Sequence, residues 1–451
     1  MQLIKKRLST LHQCNAVALG GGTTIIAIIR FTSTSILSRL LAPDAFAVSL
    51  ILTSLLMTMN LISDLSLRPY IIREPKGADQ DTGDVIWTLQ VLRGVCLAAL
   101  IWVLAPAFAS LLGQPGVVDY IRAVTLVPLV LGFQSLGEPL ATRAGVQRIN
   151  ERVLVMRTLA STTMTITLAF WLRSEWALVF GILLGSVSQI VIDRLVFPQN
   201  WRLRFRFERE TFWRILNFTK YFFLASVLYL IITQIDRVVM ARNFPLELLG
   251  LYGLALTISR ILTTMIFSYQ RNVFFPKITP AVREGRVDHT VVQAALGIAP
   301  LVFLFITGGA IGGGQMFFQI VFDERYLFGG VFLSVIAVRG IFMTIAEMAT
   351  SIEIAHGNTR HTLDMNILSL LWMAVAIPVL LHQFGAVGLA AALATVEVLP
   401  AIAGAYRSYR RGLFIPRHYL LGALAVGGGI LTGVVGTFLI KVAAAAFSIS
   451  F

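Results

Sequence analysis

Charge is scarce in this chain. Only 13% of its 451 residues are Asp, Glu, Lys or Arg, and the longest polar interruption, Gln199 to Arg214, is too short to bury a core of its own. A separate soluble domain is thereby excluded. Cysteine is almost absent: Cys14 and Cys96 lie in predicted helices and act as small apolar residues rather than as a disulfide. Sets of metal ligands are lacking too: His356 and His361 flank GNTR, which reads as a polar turn rather than a metal site. No Ser/His/Asp arrangement or acidic pair stands where a soluble pocket would form, so the chain is not expected to be an enzyme. The start, MQLIKKRLSTLHQ, lacks an apolar core followed by a small-residue cleavage site, and the first span is expected to act as an uncleaved insertion signal.

What is present is apolar sequence. Hydrophobic residues make up 57% of the chain, mean hydropathy is +0.79, and apolar runs recur from end to end. These features describe an all-α polytopic membrane protein. The net charge of +14 follows the positive-inside rule when segments are counted alternately from a cytoplasmic N-terminus. The inside set holds Lys5, Lys6 and Arg7, then Arg68, Arg73 and Lys76, Arg143, Arg148 and Arg152, the arginines of the Gln199–Arg214 loop, Lys277, Arg283 and Arg286, Arg360, and Arg407, Arg410, Arg411 and Arg417. The outside gaps before the C-terminal tail offer only Arg39, Arg173, Arg242 and Arg325. The basic excess is thus accounted for by topology, and no nucleic-acid partner is expected. In PQNWRLRFRFERETFWR, Arg202, Arg204 and Arg206 alternate with aromatic or aliphatic residues, as suits a connector lying against membrane lipid headgroups.

The spans fall into two sets of six. Residues 1–198 form a first six-helix lobe, 199–214 a basic cytoplasmic linker and 215–411 a second six-helix lobe; 412–451 add one extra membrane segment. The hairpin Lys220–Lys277 restarts the pattern: ARNFPLELLGLYGLALT can be laid over SRLLAPDAFAVSLILT, matching Arg242 with Arg39, Glu247 with Asp44 and Gly250 with Ala47. An even number of spans per half gives two lobes in parallel repeat, with a central cavity expected between them. The run GGAIGGG has no preceding strand and no following Lys-Ser or Lys-Thr, so it reads as helix packing or a break rather than a phosphate loop.

Polar residues inside the spans carry the functional signal. Arg30 shares a face with Thr23, Ser33 and Thr34, opposite Ile25, Ile28, Ile29 and Ile36. Thr53, Met57, Asn60 and Asp64 step along helix 2 (about Ala45–Leu67), and Tyr229, Thr233 and Asp236 along helix 7, the first arm of the Lys220–Lys277 hairpin. Thr257, Arg260, Thr264, Ser268 and Arg271 mark helix 8, its second arm, and Arg339, Met343, Glu347 and Thr350 mark helix 10 (about Phe332–Ala355). Taken singly, each deep arginine could snorkel or form an internal ion pair. Together, Arg30, Arg93, Arg260 and Arg339 point to a water-filled cationic cavity that prefers an anionic, phosphate-bearing substrate. Asp64, Asp236, Glu347 and Glu353 could neutralise part of that field or bind a coupling proton or sodium ion, with Asn60 and Tyr229 as further polar lining. No other cofactor is expected.

Several local marks resemble the oligosaccharide flippase family, the polysaccharide-transport branch of the multidrug/oligosaccharidyl-lipid/polysaccharide exporter superfamily. They are SRLLAPDAFAVSLIL with SDLSL, IIREPKGADQDTGDVIWTLQVLRG, QIDRVVMARNFPLELLGLYGLALT, FFPKITP, and AHGNTR followed by FGAVGLAAA. Ala47 and Ser66 stand where that family commonly has glycine. The resemblance implies a twelve-helix, two-lobe transporter of the bacterial inner membrane, with the segment after residue 411 lying outside that core. Its substrate would be a polyprenyl-pyrophosphate-linked oligosaccharide repeat unit, moved to the periplasmic leaflet for exopolysaccharide, capsule or lipopolysaccharide assembly. The pyrophosphate would be the ligand of the arginines, and a polysaccharide polymerase and other assembly proteins would be partners. An ion-coupled multidrug or organic-cation antiporter of the same superfamily would instead be controlled by Asp64 and Asp236. A membrane component of a polymerase or ligase complex would need a large periplasmic loop, and every outside gap is short.

Overall fold

The computed structural model describes residues 22, 25–63, 67, 71, 79–143, 147–197, 204–210, 212–213, 230, 232–358, 360–413 and 415–448. Among them the chain is helical, with no strand. Ten stretches are long and apolar enough to cross a membrane. One of these, Arg360–Arg410, holds two spans, and helices at 25–40 and 232–243 are the described parts of two more. The chain divides into two compact units, Met1–Gly250 and Leu251–Phe451.

In the first unit, α1 (25–40) turns directly into α2 (Pro43–Ile62), which starts on Pro43 with Asp44 in its first turn. Leu37, Leu41 and Ala45 of this turn pack on Ala169, Ala177 and Leu178. Helix α3 (Gln80–Leu111) runs 32 residues, about 48 Å at 1.5 Å per residue, and therefore extends beyond a hydrocarbon core of about 30 Å. The extended segment 204–206 clips its polar start: Arg204 N donates to Asp84 Oδ1 at 3.2 Å, Arg206 N donates to Thr88 Oγ1 at 2.9 Å, and Phe205 lies 5.0 Å from the Trp87 ring. Gly113, at φ 66°, ends the helix in the left-handed conformation that glycine tolerates.

The apolar run Val117–Leu140, long enough in sequence for one span, is not one helix. It is split into α4 (Val118–Val124), α5 (Leu126–Gly132) and α6 (Gly137–Arg143). The break after Gly132 frees carbonyl groups, and Gln90 Nε2 of α3 donates to those of Leu131, Gly132 and Gln134 at 3.1–3.2 Å. The hairpin of α7 (Gln147–Leu172) and α8 (Trp176–Val196) follows. Between them a buried network forms. Arg157 Nε donates to Asp193 Oδ1 at 2.7 Å, Nη1 donates to Glu138 Oε2 at 3.0 Å, and Gln134 Nε2 donates to Asp193 Oδ2 at 3.0 Å. Helix α9 (232–243) completes the unit.

Helix α10 (Leu246–Tyr269) leads into the second unit and continues through a π turn, Gln270–Phe274, into α11 (Phe275–Arg283). Its proline-containing FFPK start, lacking one backbone donor, coincides with this widened turn. Asp288 caps α12 (His289–Leu296) by accepting from Val291 N at 2.9 Å. Phe274, Ile278, Val292 and Leu296 then pack on Ile352 and Leu413. The remaining elements are α13 (Ala299–Val321), α14 (Gly329–Ala337), α15 (Arg339–Ala355), α16 (Arg360–Ala394, bent at Gly385), α17 (Val398–Arg410) and α18 (Pro416–Ser448).

The GGAIGGG run is helical throughout α13 and packs against glycines of α18. Side chains added at Gly308 and Gly312 would place a Cβ 2.3 Å from the carbonyls of Val426 and Ile430. Small residues are what allow two spanning helices to come this close. The opposite face of α18, with Leu420, Leu424, Leu431 and Phe438, is exposed, as a lipid-facing surface would be.

Candidate functional site

Past its first turn, α10 exposes Thr257, Arg260 and Thr264 together with Phe267, a mostly polar face. Every residue from Leu249 to Leu256 is buried, whereas Thr257, Arg260 and Thr264 are exposed. Helix α7 shows the ordinary pattern, exposing Leu154, Leu159, Phe170 and Trp171. An arginine faces hydrocarbon only at a cost, so this stripe suits a polar surrounding. The threonine hydroxyls are tied locally: Thr257 Oγ1 donates to Gly253 O at 2.9 Å and Thr264 Oγ1 to Arg260 O at 2.7 Å. The arginine side chain is thereby the charged group this stripe presents.

In α1, Ile25, Ile28 and Ile36 are exposed while Ile26, Ser33, Leu37 and Leu41 are buried. At 100° per residue Arg30 falls within the buried sector, yet it is exposed. It therefore occupies an opening on the packed side of its helix, not the side covered by isoleucines. Among the described side chains of α2, Thr53 is the one exposed residue.

Arg93 and Asn60 are brought together. Arg93 Nε donates to Ser63 Oγ at 2.9 Å, and Nη2 donates to Asn60 Oδ1 at 2.8 Å and to Asn60 O at 3.2 Å. These bonds lock the end of α2 to α3. Arg339 instead pairs with Glu397, Nη2 to Oε1 at 3.1 Å, both half-buried, with Glu347 within electrostatic reach of both. Asp236 is buried at 2% exposure, and Glu353 accepts both Nε and Nη2 of Arg411 at 2.6 and 3.0 Å. Asp64 and Tyr229 lie outside the described residues, as does Ser66.

Three groups that periodicity did not single out hold positions of consequence. Glu397 interrupts the last span of the second six-helix set, in TVEVLP, and is the counter-charge of Arg339. Arg157 and Asp193 form the buried network of the first unit; both lie within apolar runs, where the rule that flags intramembrane charge would have found them. Arg237 is the third, tied by one donor to Gln234.

The fold defines an all-helical, multi-pass membrane protein. Lipid II flippase MurJ in an inward closed conformation matches it with a TM-score of 0.73 at 11% identity, over 94% of this chain and 98% of that one. A multidrug resistance MATE family transporter of the MOP superfamily, in its inward-facing conformation, matches with 0.66 at 14% identity over 92% and 98%. At these identities the likeness is one of fold. In sequence, the family described as polysaccharide biosynthesis protein matches residues 36–326, and the chain belongs to that family. A curated relative, teichuronic acid biosynthesis protein TuaB of Bacillus subtilis (strain 168), is 20% identical over 304 residues. That match covers 66% of this chain and 62% of the relative's length.

Proposed function

We propose that the chain is a flippase for a lipid-linked oligosaccharide, acting in polysaccharide assembly at the bacterial inner membrane with its N-terminus in the cytoplasm. The observation that carries this reading is the exposure of Arg260 on a mostly polar face of α10 and of Arg30 on the packed side of α1, both within spanning helices, in a member of the polysaccharide biosynthesis family. A planar, permanently charged guanidinium suits the pyrophosphate of a polyprenyl carrier. The sugar would travel in water while the prenyl chain stays in or beside lipid. Lobes 1–198 and 215–411 would expose the site alternately to each side, and the substrate would bias that exchange only by binding the two states unequally.

Glu347, half-buried near the Arg339–Glu397 pair, is the group best placed to take up a coupling proton or sodium ion, with Asp64 and Asp236 as alternatives. A polymerase and other assembly proteins would receive the flipped unit. Arg30→Ala and Arg260→Ala are each expected to abolish polysaccharide export at unchanged membrane abundance; normal export by both variants would refute the cavity assignment. The MATE-like fold supports a second reading as an ion-coupled antiporter. Under it, Asp236→Asn would stop transport of organic cations and the arginine variants would not.

A further inference from the structure

The first unit contains a cavity of about 220 Å³, open on one side, between α2, the end of α3, α4 and α9. Its walls are apolar, including Leu55, Phe108, Leu111, Ile121 and Leu230. Among the described residues, one charge stands in it. Arg237 lines this cavity, half-buried, and its one hydrogen bond among the described residues is from Nη1 to Gln234 Oε1. Its Nε is buried with no partner, and no carboxylate pairs with it among the described residues. Gln234 is held from the other side, because Ser54 Oγ donates to the same Oε1 and Gln234 Nε2 contacts Met57 Sδ at 3.3 Å. The guanidinium is thus positioned while most of its donors are unused. An arginine left so in an apolar cavity of a spanning segment is costly unless an anion completes it.

We propose that this cavity binds an anionic glycerophospholipid of the bilayer, its phosphate on Arg237 and the start of its acyl chain along the apolar walls. Arg237 lies six residues from the end of α9 at Asn243, about 9 Å along the axis, a depth within reach of a headgroup. Thr58, which also lines the cavity, stands one turn beyond Ser54 on α2, about 6 Å further in. Its hydroxyl can donate to an acyl ester carbonyl, which follows the phosphate at similar spacing in a glycerolipid. A polyprenyl phosphate has no such ester. The cavity is too small for a whole lipid and its open side leaves the chains to the bilayer. The binding stands independently of the flippase reading.

The test is native mass spectrometry of the delipidated full-length protein titrated with phosphatidylglycerol, phosphatidylcholine of the same chains, or a polyprenyl phosphate. Phosphatidylglycerol adducts are expected to form preferentially. Arg237→Gln should weaken them about tenfold, the scale of one charge-assisted contact. Arg237→Lys should weaken them less, and Arg325→Gln, on a loop of the second unit, should leave them unchanged. Without lipid, Arg237→Gln should unfold at the same or a higher temperature, which separates a ligand site from a structural role. Equal binding by wild type and Arg237→Gln would overturn the proposal, as would equal binding of the two phospholipids. A polyprenyl phosphate preferred by an Arg237-dependent margin would overturn the assignment to a bilayer lipid.

Discussion

Two glycines of α18, Gly427 and Gly429, should respond in opposite directions to the same substitution. A Cβ at Gly429 would lie 2.1 Å from Phe305 O, 2.8 Å from Gly309 N and 3.0 Å from Gly308 Cα. All three are backbone atoms of a spanning helix and cannot rotate away. Relieving the first contact requires α13 and α18 to separate by about 1 Å, and overpacking of this kind costs about 1–3 kcal/mol. A Cβ at Gly427 meets nothing within 4 Å, so alanine there brings only the gain in helix propensity, about 0.5–1 kcal/mol. Thermal unfolding of the purified, detergent-solubilised protein should therefore place Gly429→Ala below wild type and Gly427→Ala at or above it. Indistinguishable transitions for the two variants would refute close glycine packing as what holds the extra span.

Arg157→Leu should destabilise the first unit by about 3–5 kcal/mol, because it strands the fully buried Asp193; adding Asp193→Asn should recover part of the lost melting temperature. Gln90→Leu should cost about 1–3 kcal/mol by leaving the carbonyls after α5 without their donor, with faster amide exchange around Phe133 as the local readout. The Asp288 carboxyl is held below its ordinary value of 3.8 by the Thr290 hydroxyl and the Val291 amide. Its stabilisation of α12 is present above that pH and is lost as pH falls through the lowered folded value. Exchange at the Val291 amide should accordingly show a protected start of α12 near neutrality, and Asp288→Ala should remove that protection.

Spans and polar stripes were legible because each depends on local periodicity. The Thr257–Arg260–Thr264 stripe is read directly from steps of three and four, and the structure exposes those residues. The GGAIGGG run could be read as packing from its composition, but not its partner: that α18 covers it depends on tertiary placement of glycines more than a hundred residues away. The break after Gly132 was hidden because Gln90, which satisfies it, lies on another helix. The same reason explains Arg93 and Asn60. Each is a sound candidate for a polar lining when read alone, and only their apposition shows them bonded to each other. Arg237 stands out in the sequence, like Asp236, as a charge inside an apolar arm, but the polar stripe of helix 7 runs through Asp236 and gives Arg237 no role. What makes Arg237 unusual is the apolar wall supplied by α2 and α3.

The proposed function requires movement of a lipid-linked oligosaccharide between leaflets under the control of Arg30 and Arg260. It is tested most directly by reconstituting the protein in vesicles with a fluorescent polyprenyl-pyrophosphate oligosaccharide and measuring the fraction reaching the opposite leaflet, with and without a proton or sodium gradient. Wild type should speed the transfer, and Arg30→Ala/Arg260→Ala should return it to the rate of protein-free vesicles. No transfer by wild type under either gradient, or undiminished transfer by the double variant, would contradict the account.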